Sequence, residues 1–258
     1  MPEEKRVGFG IPILDEALSG GIPEKNIVLV SGGAGTGKST LCVHFLCEGI
    51  GKNEKVMYIS TEQSLEEMTR QAKGVDPDFP KHVEENKLKF MEIDVLGDEG
   101  FLEKIYTEIE KFKPKRIVVD SLSTFSEFAA TTDFARKILM QRGGVAQRNI
   151  DQIIPQELSE RTLSKRMLGS LIAKIRGFGA TVLMTSELPE KGERLSSDGI
   201  SEFITDGVVL LYYFELGDVE EHAAKIRKMR YTSHEKKPLI YTLTEKGIDI
   251  KEETTPLM

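Results

Sequence analysis

The chain has little cysteine and no long apolar run. Two cysteines in 258 residues exclude a disulfide framework. Cys42 and Cys47, five apart on one predicted helix, point to different faces and lack the spacing of a zinc site. Both are expected to pack as small apolar side chains. The apolar run Val208–Phe214 is far too short to span a bilayer, so no membrane-crossing segment is expected. The start, MPEEKR, is charged and is not a signal peptide, which together with the scarce cysteine implies a reducing, cytoplasmic compartment. Positive charge is also short: 35 Lys and Arg against 42 Asp and Glu leave a net −7, unfavourable for non-specific binding to nucleic acid. What is present is enough to fold. Hydrophobic residues at 39% and charged residues at 30% support a sizeable core and exclude wholesale disorder, and the Glu and Lys richness fits a thermophile.

The apolar pattern alternates between strand and helix. A short helix is read over 10–20, closed by Gly20-Gly21. Strands are read at Asn26–Ser31, Val56–Ser60, Leu88–Asp94, Arg116–Asp120 and Thr181–Thr185, and helices at Lys38–Gly49, Leu65–Ala72, Gly100–Phe112, around 133–141 and at 157–176. That alternation predicts an α/β fold with a mostly parallel twisted sheet flanked by helices. After it, Val208–Phe214, Ala224–Arg230 and Leu239–Leu243 read as antiparallel hairpins, and 251–258 as a frayed tail. No repeat or linker divides the chain, so one domain over 1–258 is expected.

The motif that carries chemistry is Gly32-x4-Gly37-Lys38-Ser39, placed between an apolar strand and a helix. Glycines let such a loop turn back so that backbone N–H groups and the helix N-terminus face phosphate oxygens. Gly32, Gly33, Ala34, Gly35, Thr36, Gly37, Lys38, Ser39 and Thr40 form the expected nucleotide-binding set. In it Lys38 reaches the β- and γ-phosphates and Ser39 ligates Mg²⁺. Asp120, at the carboxyl end of a buried strand, is the second expected metal ligand. Glu62 lies just past the Val56–Ser60 strand on the same edge, where ligands bind in open α/β sheets, and is the candidate general base. The competing reading of that stretch is a helix cap through Ser64 and Glu67, with Glu62 merely exposed.

From Gly10-Ile-Pro-Ile-Leu-Asp15 through Gly20-Gly-Ile-Pro23 and the loop, the chain resembles the RecA-type ATPases, and within them the KaiC-like branch with its single-domain archaeal members. The likeness implies a RecA-like P-loop core, ATP with Mg²⁺ and a homo-oligomer, commonly a hexameric ring. In that branch two adjacent glutamates follow the second strand and one is the base. Here they are Glu62 and Gln63, so the first acid is kept and the second is an amide. The string Lys228-Met229-Arg230-Tyr231-Thr232-Ser233-His234 matches one that reaches ATP held by a neighbouring subunit. Read as a strand, Lys228, Arg230, Thr232 and His234 share one face. Lys228 and Arg230 are thereby implied catalytic groups supplied in trans. Thr244 and Glu245 match a Thr-Asp pair near the neighbour's nucleotide, and Ser186 matches a γ-phosphate sensor.

Other functions are weaker fits. Autokinase activity in the family uses a Ser-Thr pair before an Ile-Thr-Asp string. Here Glu202-Phe203 precede Ile204-Thr205-Asp206, which disfavours it. A DNA-interacting, recombinase-like ATPase is the alternative suggested by the basic stretch 134–166, yet beyond Phe134 neither it nor the loop 188–199 has an aromatic for stacking on bases. A nucleotide-binding scaffold with negligible hydrolysis, kept open by Gln63, is a further alternative. The sequence names no protein partner.

Overall fold

A computed structural model describes residues 5–95, 97–98, 100–129, 156–188, 194–216 and 219–251. The expected helix at 133–141, most of the basic stretch 134–166 and the tail lie outside them. The elements, in chain order, are β1 (Arg6–Val7), α1 (Pro12–Ala17), β2 (Ile22–Pro23), β3 (Ile27–Gly32), α2 (Lys38–Gly51), β4 (Val56–Ser60), α3 (Leu65–Ala72), α4 (Lys81–Glu84), β5 (Leu88–Glu92), α5 (Phe101–Phe112), β6 (Arg116–Asp120), α6 (Leu122–Ala129), α7 (Gln156–Gly177), β7 (Thr181–Glu187), α8 (Ser201–Ile204), β8 (Gly207–Leu216), β9 (Val219–Met229), β10 (Leu239–Thr244) and β11 (Gly247–Ile250).

The described residues build a nine-stranded sheet in the order β11-β10-β9-β8-β3-β7-β6-β4-β5. The six strands from β8 to β5 are parallel, and β9, β10 and β11 continue antiparallel from β8. The mostly parallel sheet with antiparallel C-terminal strands is therefore as the sequence reads. Side chains alternate between two cores. Val28, Val30, Tyr58, Val118 and Leu183 pack on the α2 side. Ile27, Leu29, Met57, Ile59, Ile117, Val119, Val182 and Met184 pack on the other, with α5, α6 and α7. Burial on both faces explains why these strands read as continuous apolar runs. Among the described residues no helix is long and apolar enough to cross a membrane.

The α2 side contains a fully buried guanidinium. Arg116 opens β6 and is 1% exposed. Its Nε donates to Glu54 at 2.6 Å, and its Nη1 donates to the carbonyls of Gly8 at 2.7 Å and Phe45 at 2.9 Å. The guanidinium also lies over the Phe45 ring. This ties the N-terminal segment, α2 and β6 together, and no apolar residue can serve the two carbonyls. Arg116→Ala is expected to cost about 3 kcal/mol of stability, since it orphans buried acceptors and leaves a cavity. A shift in denaturant midpoint worth less than about 1 kcal/mol would show that the clamp does not hold this corner.

The far edge is pinned by a histidine. Ile248 N–H donates to His44 Nε2 on α2 at 3.1 Å, so the ring must be neutral there. Burial lowers the His44 pKa from its ordinary value. Because the folded value lies below the unfolded one, the stabilising contribution is present above about pH 6.5 and is lost as pH falls toward the folded value. Urea midpoints between pH 7.5 and 5 are therefore expected to fall less steeply in His44→Gln, which retains an acceptor but cannot titrate.

Two features of the sequence reading change. The Cys42 side chain is buried as expected, whereas Cys47 is only half-buried. The strand expected to end at Arg230 ends at Met229, because Tyr231 turns the backbone with φ +59°.

Candidate functional site

The glycine loop leaves β3 at the carboxyl edge of the sheet. Gly35 and Gly37 adopt φ +76° and +83°, and a Cβ on Gly37 would lie 2.7 Å from Leu243. Only glycine combines that backbone with that crowding. Gly37 is also the residue at the N-terminus of α2, and no side chain caps the helix. Its first N–H groups are thus left to a ligand at the positive end of the dipole. Thr36 holds the loop from within, donating to Gly33 O at 2.8 Å, while Tyr241 Oη donates to Thr36 O from β10. Ala34 and Gly35 stand exposed at the tip.

The residues read as the site converge here. A cleft of about 330 Å³ is lined by the loop from Ala34, by Lys38, Ser39 and Thr40, and by Glu62, Gln63, Asp120 and Glu187. Lys38 is buried and folds back, donating to Gly32 O at 3.1 Å, Gly33 O at 3.0 Å and Glu187 Oε1 at 3.3 Å. Thr40 accepts from Gln71 at 3.3 Å. Arg116, Val118 and Asp120 alternate onto the α2 face, which brings the Asp120 carboxylate under the start of that helix. Ser39 Oγ donates to Asp120 Oδ2 at 2.8 Å, Tyr58 donates to the same oxygen, and Thr185 donates to Oδ1. The three hydroxyls fix the position of both carboxylate oxygens. Burial, then the Asp120 charge, pushes the Tyr58 hydroxyl and the Cys42 thiol well up, so both keep their protons.

Glu62 is exposed at the mouth of the cleft, and Ser121 and Thr124 donate to its Oε1. The Ser64–Glu67 capping box forms as well, and it leaves Glu62 free for this second contact. Gln63 Oε1 is buried with no hydrogen-bond partner. Gln63 lines the same cleft as the Ser39 hydroxyl and the Asp120 carboxylate, an all-oxygen donor set that fits a hydrated Mg²⁺, which takes oxygen ligands and retains waters. Ser39 and Asp120 would hold the ion. Among the described residues no three His, Cys, Asp or Glu side chains gather to bind a metal on their own.

The distal string lies elsewhere. Gly207 pairs with both Val28 at the start of β3 and Met229, whereas the glycine loop follows Gly32 at the other end. Four residues of strand, about 13 Å, separate the two levels. Lys228 Nζ donates to the carbonyls of Glu202 at 2.9 Å and Thr205 at 2.5 Å, and burial, then Arg230, lowers its pKa. Arg230 donates to Asp206 at 3.2 Å and to Phe203 O at 3.3 Å. Burial would raise the Asp206 carboxyl, but Arg176, the Ile27 N–H and Arg230 together hold it below its usual range. The shared face read for Lys228, Arg230, Thr232 and His234 does not form, because the strand stops before Arg230. Thr232 instead accepts from Arg6 at 2.6 Å, and His234 bonds the adjacent Glu235 carbonyl. Met229 is buried against Gly207, so its side chain cannot meet a ligand.

Two more expectations change with register. Thr244 and Glu245 form the β10–β11 turn, seated over Gly74 and one residue beyond Leu243, which lines the chain's own cleft. They are thus at the opposite edge from Lys228 and Arg230, and the two sets cannot both meet the same neighbouring site. Ser186 faces away from α2 and bonds Ser197, while Thr185 and Glu187 on the near face reach Asp120 and Lys38. Counting by twos from Thr185 would have found Glu187. The Tyr58 contact had no comparable signal.

A P-loop on a mostly parallel sheet, with an acid at the carboxyl end of the next strand but one, defines a nucleoside-triphosphatase fold. Family comparison is more specific: the description "ATPase: KaiC" matches residues 7–148 and 140–255, and the chain belongs to that family. It is 29% identical to the UPF0273 protein MJ1359 of Methanocaldococcus jannaschii, over 95% of both chains. It is also 29% identical to the circadian clock oscillator protein KaiC of Synechococcus elongatus, across 92% of this chain but 42% of that one. Among solved structures, the KaiC-like protein PH0186 from Pyrococcus horikoshii OT3 superimposes with a TM-score of 0.75 at 28% identity, covering 96% of this chain and all of that one.

Proposed function

We propose that this chain is a magnesium-dependent ATPase that acts as a nucleotide-gated homo-oligomer, a hexameric ring by family expectation, its site completed by a neighbouring copy. The observation that supports this reading is the distance between the cleft residues and the distal string, which lie at opposite ends of the strands. Lys38, Ser39, Asp120 and Glu62 share one cleft, while Arg230 and Lys228 lie about 13 Å away along β3 and cannot serve it within one chain. A head-to-tail contact repeats, and it would set the β8–β9 end of the amino edge of one copy against the carboxyl edge of the next.

In this reading the α2 N-terminus and the loop amides bind the triphosphate. Lys38 exchanges its loop carbonyls for phosphate oxygens, and Glu62 takes the proton of the attacking water. Ser39 and Asp120 would hold Mg²⁺, which would supply charge neutralisation at the phosphates. A neighbour's Arg230 stabilises the transferring phosphoryl group. Autokinase activity gains no support: Ser201 is buried and donates to Asp198 at 2.6 Å, and the buried Glu202 is bonded by Ser196.

A second reading, a scaffold that binds nucleotide and assembles without turning it over, is favoured by Gln63 in place of a second acid. Light scattering with and without ATP, run beside a phosphate-release assay, separates the two. Assembly with release supports the ATPase, and assembly alone supports the scaffold. Neither would sink the oligomer reading.

A further inference from the structure

We infer that the chain has a second anion site, at the amino edge of the sheet, for the polyphosphate group of a small molecule. Here the backbones that precede the parallel strands meet. Lys115 N–H donates to Lys55 O at 2.7 Å, Thr181 N–H to Lys115 O at 2.9 Å, and Glu24 N–H to Lys5 O at 2.9 Å. These bonds fix a cleft of about 420 Å³, lined by Lys5, Lys55, Lys113 and Lys115 with Glu24 and Glu54. Its size falls in the range of small-ligand pockets. Gly179 opens part of the wall, since a Cβ there would meet nothing within 4 Å.

What sets this cleft apart is four lysines gathered in one lining. Several lysines elsewhere on an acidic surface find carboxylates: Lys52 with Glu48, Lys87 with Glu85, Lys89 with Glu108 and Lys251 with Glu221. Among the described residues, none of the four lysines of the cleft has an ion-pair partner. Glu54 is committed to Arg116 at 2.6 Å, which leaves Glu24 as the one acid of the lining not engaged by a cation. Lys55 Nζ lies over the Phe112 ring, which places one of the cations, and four lysines in a lining with one such carboxylate leave an excess of about three positive charges for an anion to neutralise. Lysine presents a compact, hydrated point charge with three donors, which suits phosphate oxygens, whereas no arginine fork lines the cleft to select a planar carboxylate. Lys113 caps the C-terminus of α5 with φ +54°.

The cleft is separate from the ATP site. Lys115 and Asp120 stand at opposite ends of β6, about 16 Å apart along the strand. Lys55 and Glu62 likewise flank the two ends of β4.

The test is calorimetric titration of the full chain with sodium tripolyphosphate in magnesium-free buffer, with excess ADP blocking the glycine loop. One equivalent is expected to bind, weakening as salt rises. Lys55→Gln/Lys113→Gln/Lys115→Gln is expected to weaken it on the order of ten- to a hundredfold while ADP binding, measured separately, is unchanged. Glu24→Gln is expected to tighten it. Adenosine tetraphosphate binding tighter than inorganic tetrapolyphosphate would assign a nucleotide as the source, and equal affinity the phosphate chain alone. The site is overturned if no heat remains once ADP is present, or if binding survives in the triple variant. A single-stranded 20-mer that binds these lysines where tripolyphosphate does not would overturn it in favour of a nucleic-acid backbone.

Discussion

Glu62→Gln is expected to lower ATP turnover by about 100-fold or more while leaving ATP affinity within a few-fold of the wild type. The geometry makes the substitution clean. Ser121 and Thr124 both donate to Oε1, and a glutamine Oε1 can accept both, so the side chain stays where it is. Among the described residues no donor reaches Oε2, the oxygen available to a water. What the amide loses is basicity alone. In the proposed binding mode the loop amides, Lys38 and the α2 N-terminus would contact the phosphates without Glu62, so binding should persist. Single-turnover phosphate release, read beside equilibrium binding of a fluorescent ATP analogue, checks both halves. Equal release by the two proteins would remove Glu62 as the base and leave the scaffold reading.

Much of this site was legible because each element announces itself locally. The glycine loop has a fixed spacing, and β3 and β6 are apolar runs whose ends place Lys38 and Asp120 on one edge. Glu62 follows from the same rule applied to β4. The rest depends on register and on residues distant in sequence. Tyr58 and Thr185 donate to Asp120 because the pleats of three strands agree, and nothing in either local stretch predicts that. Ser186 was assigned by position, but the pleat turns it away and presents Glu187 to Lys38. The distal string read as one strand because its polar residues alternate. Tyr231 interrupts the alternation through a backbone turn that no side-chain pattern encodes. The two-residue strands β1 and β2 are too short for any periodic signal and are held by their pairing with each other.

Arg230→Ala is expected to lower turnover by about 1,000-fold, as the loss of an arginine finger does, and to leave ATP binding intact. Arg230 is partly exposed, with 43% of its side chain accessible, and Asp206 retains Arg176 at 2.7 Å when Arg230 is removed. The substitution therefore does not strand a buried carboxylate, and folding should survive. Mixing decides whether the arginine acts across copies. Glu62→Gln alone lacks the base in every cleft, and Arg230→Ala alone lacks the arginine at every interface. In an equimolar mixture that exchanges subunits at random, about one quarter of interfaces pair an intact cleft with an intact arginine, because each is present in half the copies. Phosphate release should then return to about a quarter of the wild-type rate. A mixture as inactive as its components, with subunit exchange shown by fluorescence transfer, would place Arg230 outside the neighbour's reaction and leave it bracing α8 within its own chain.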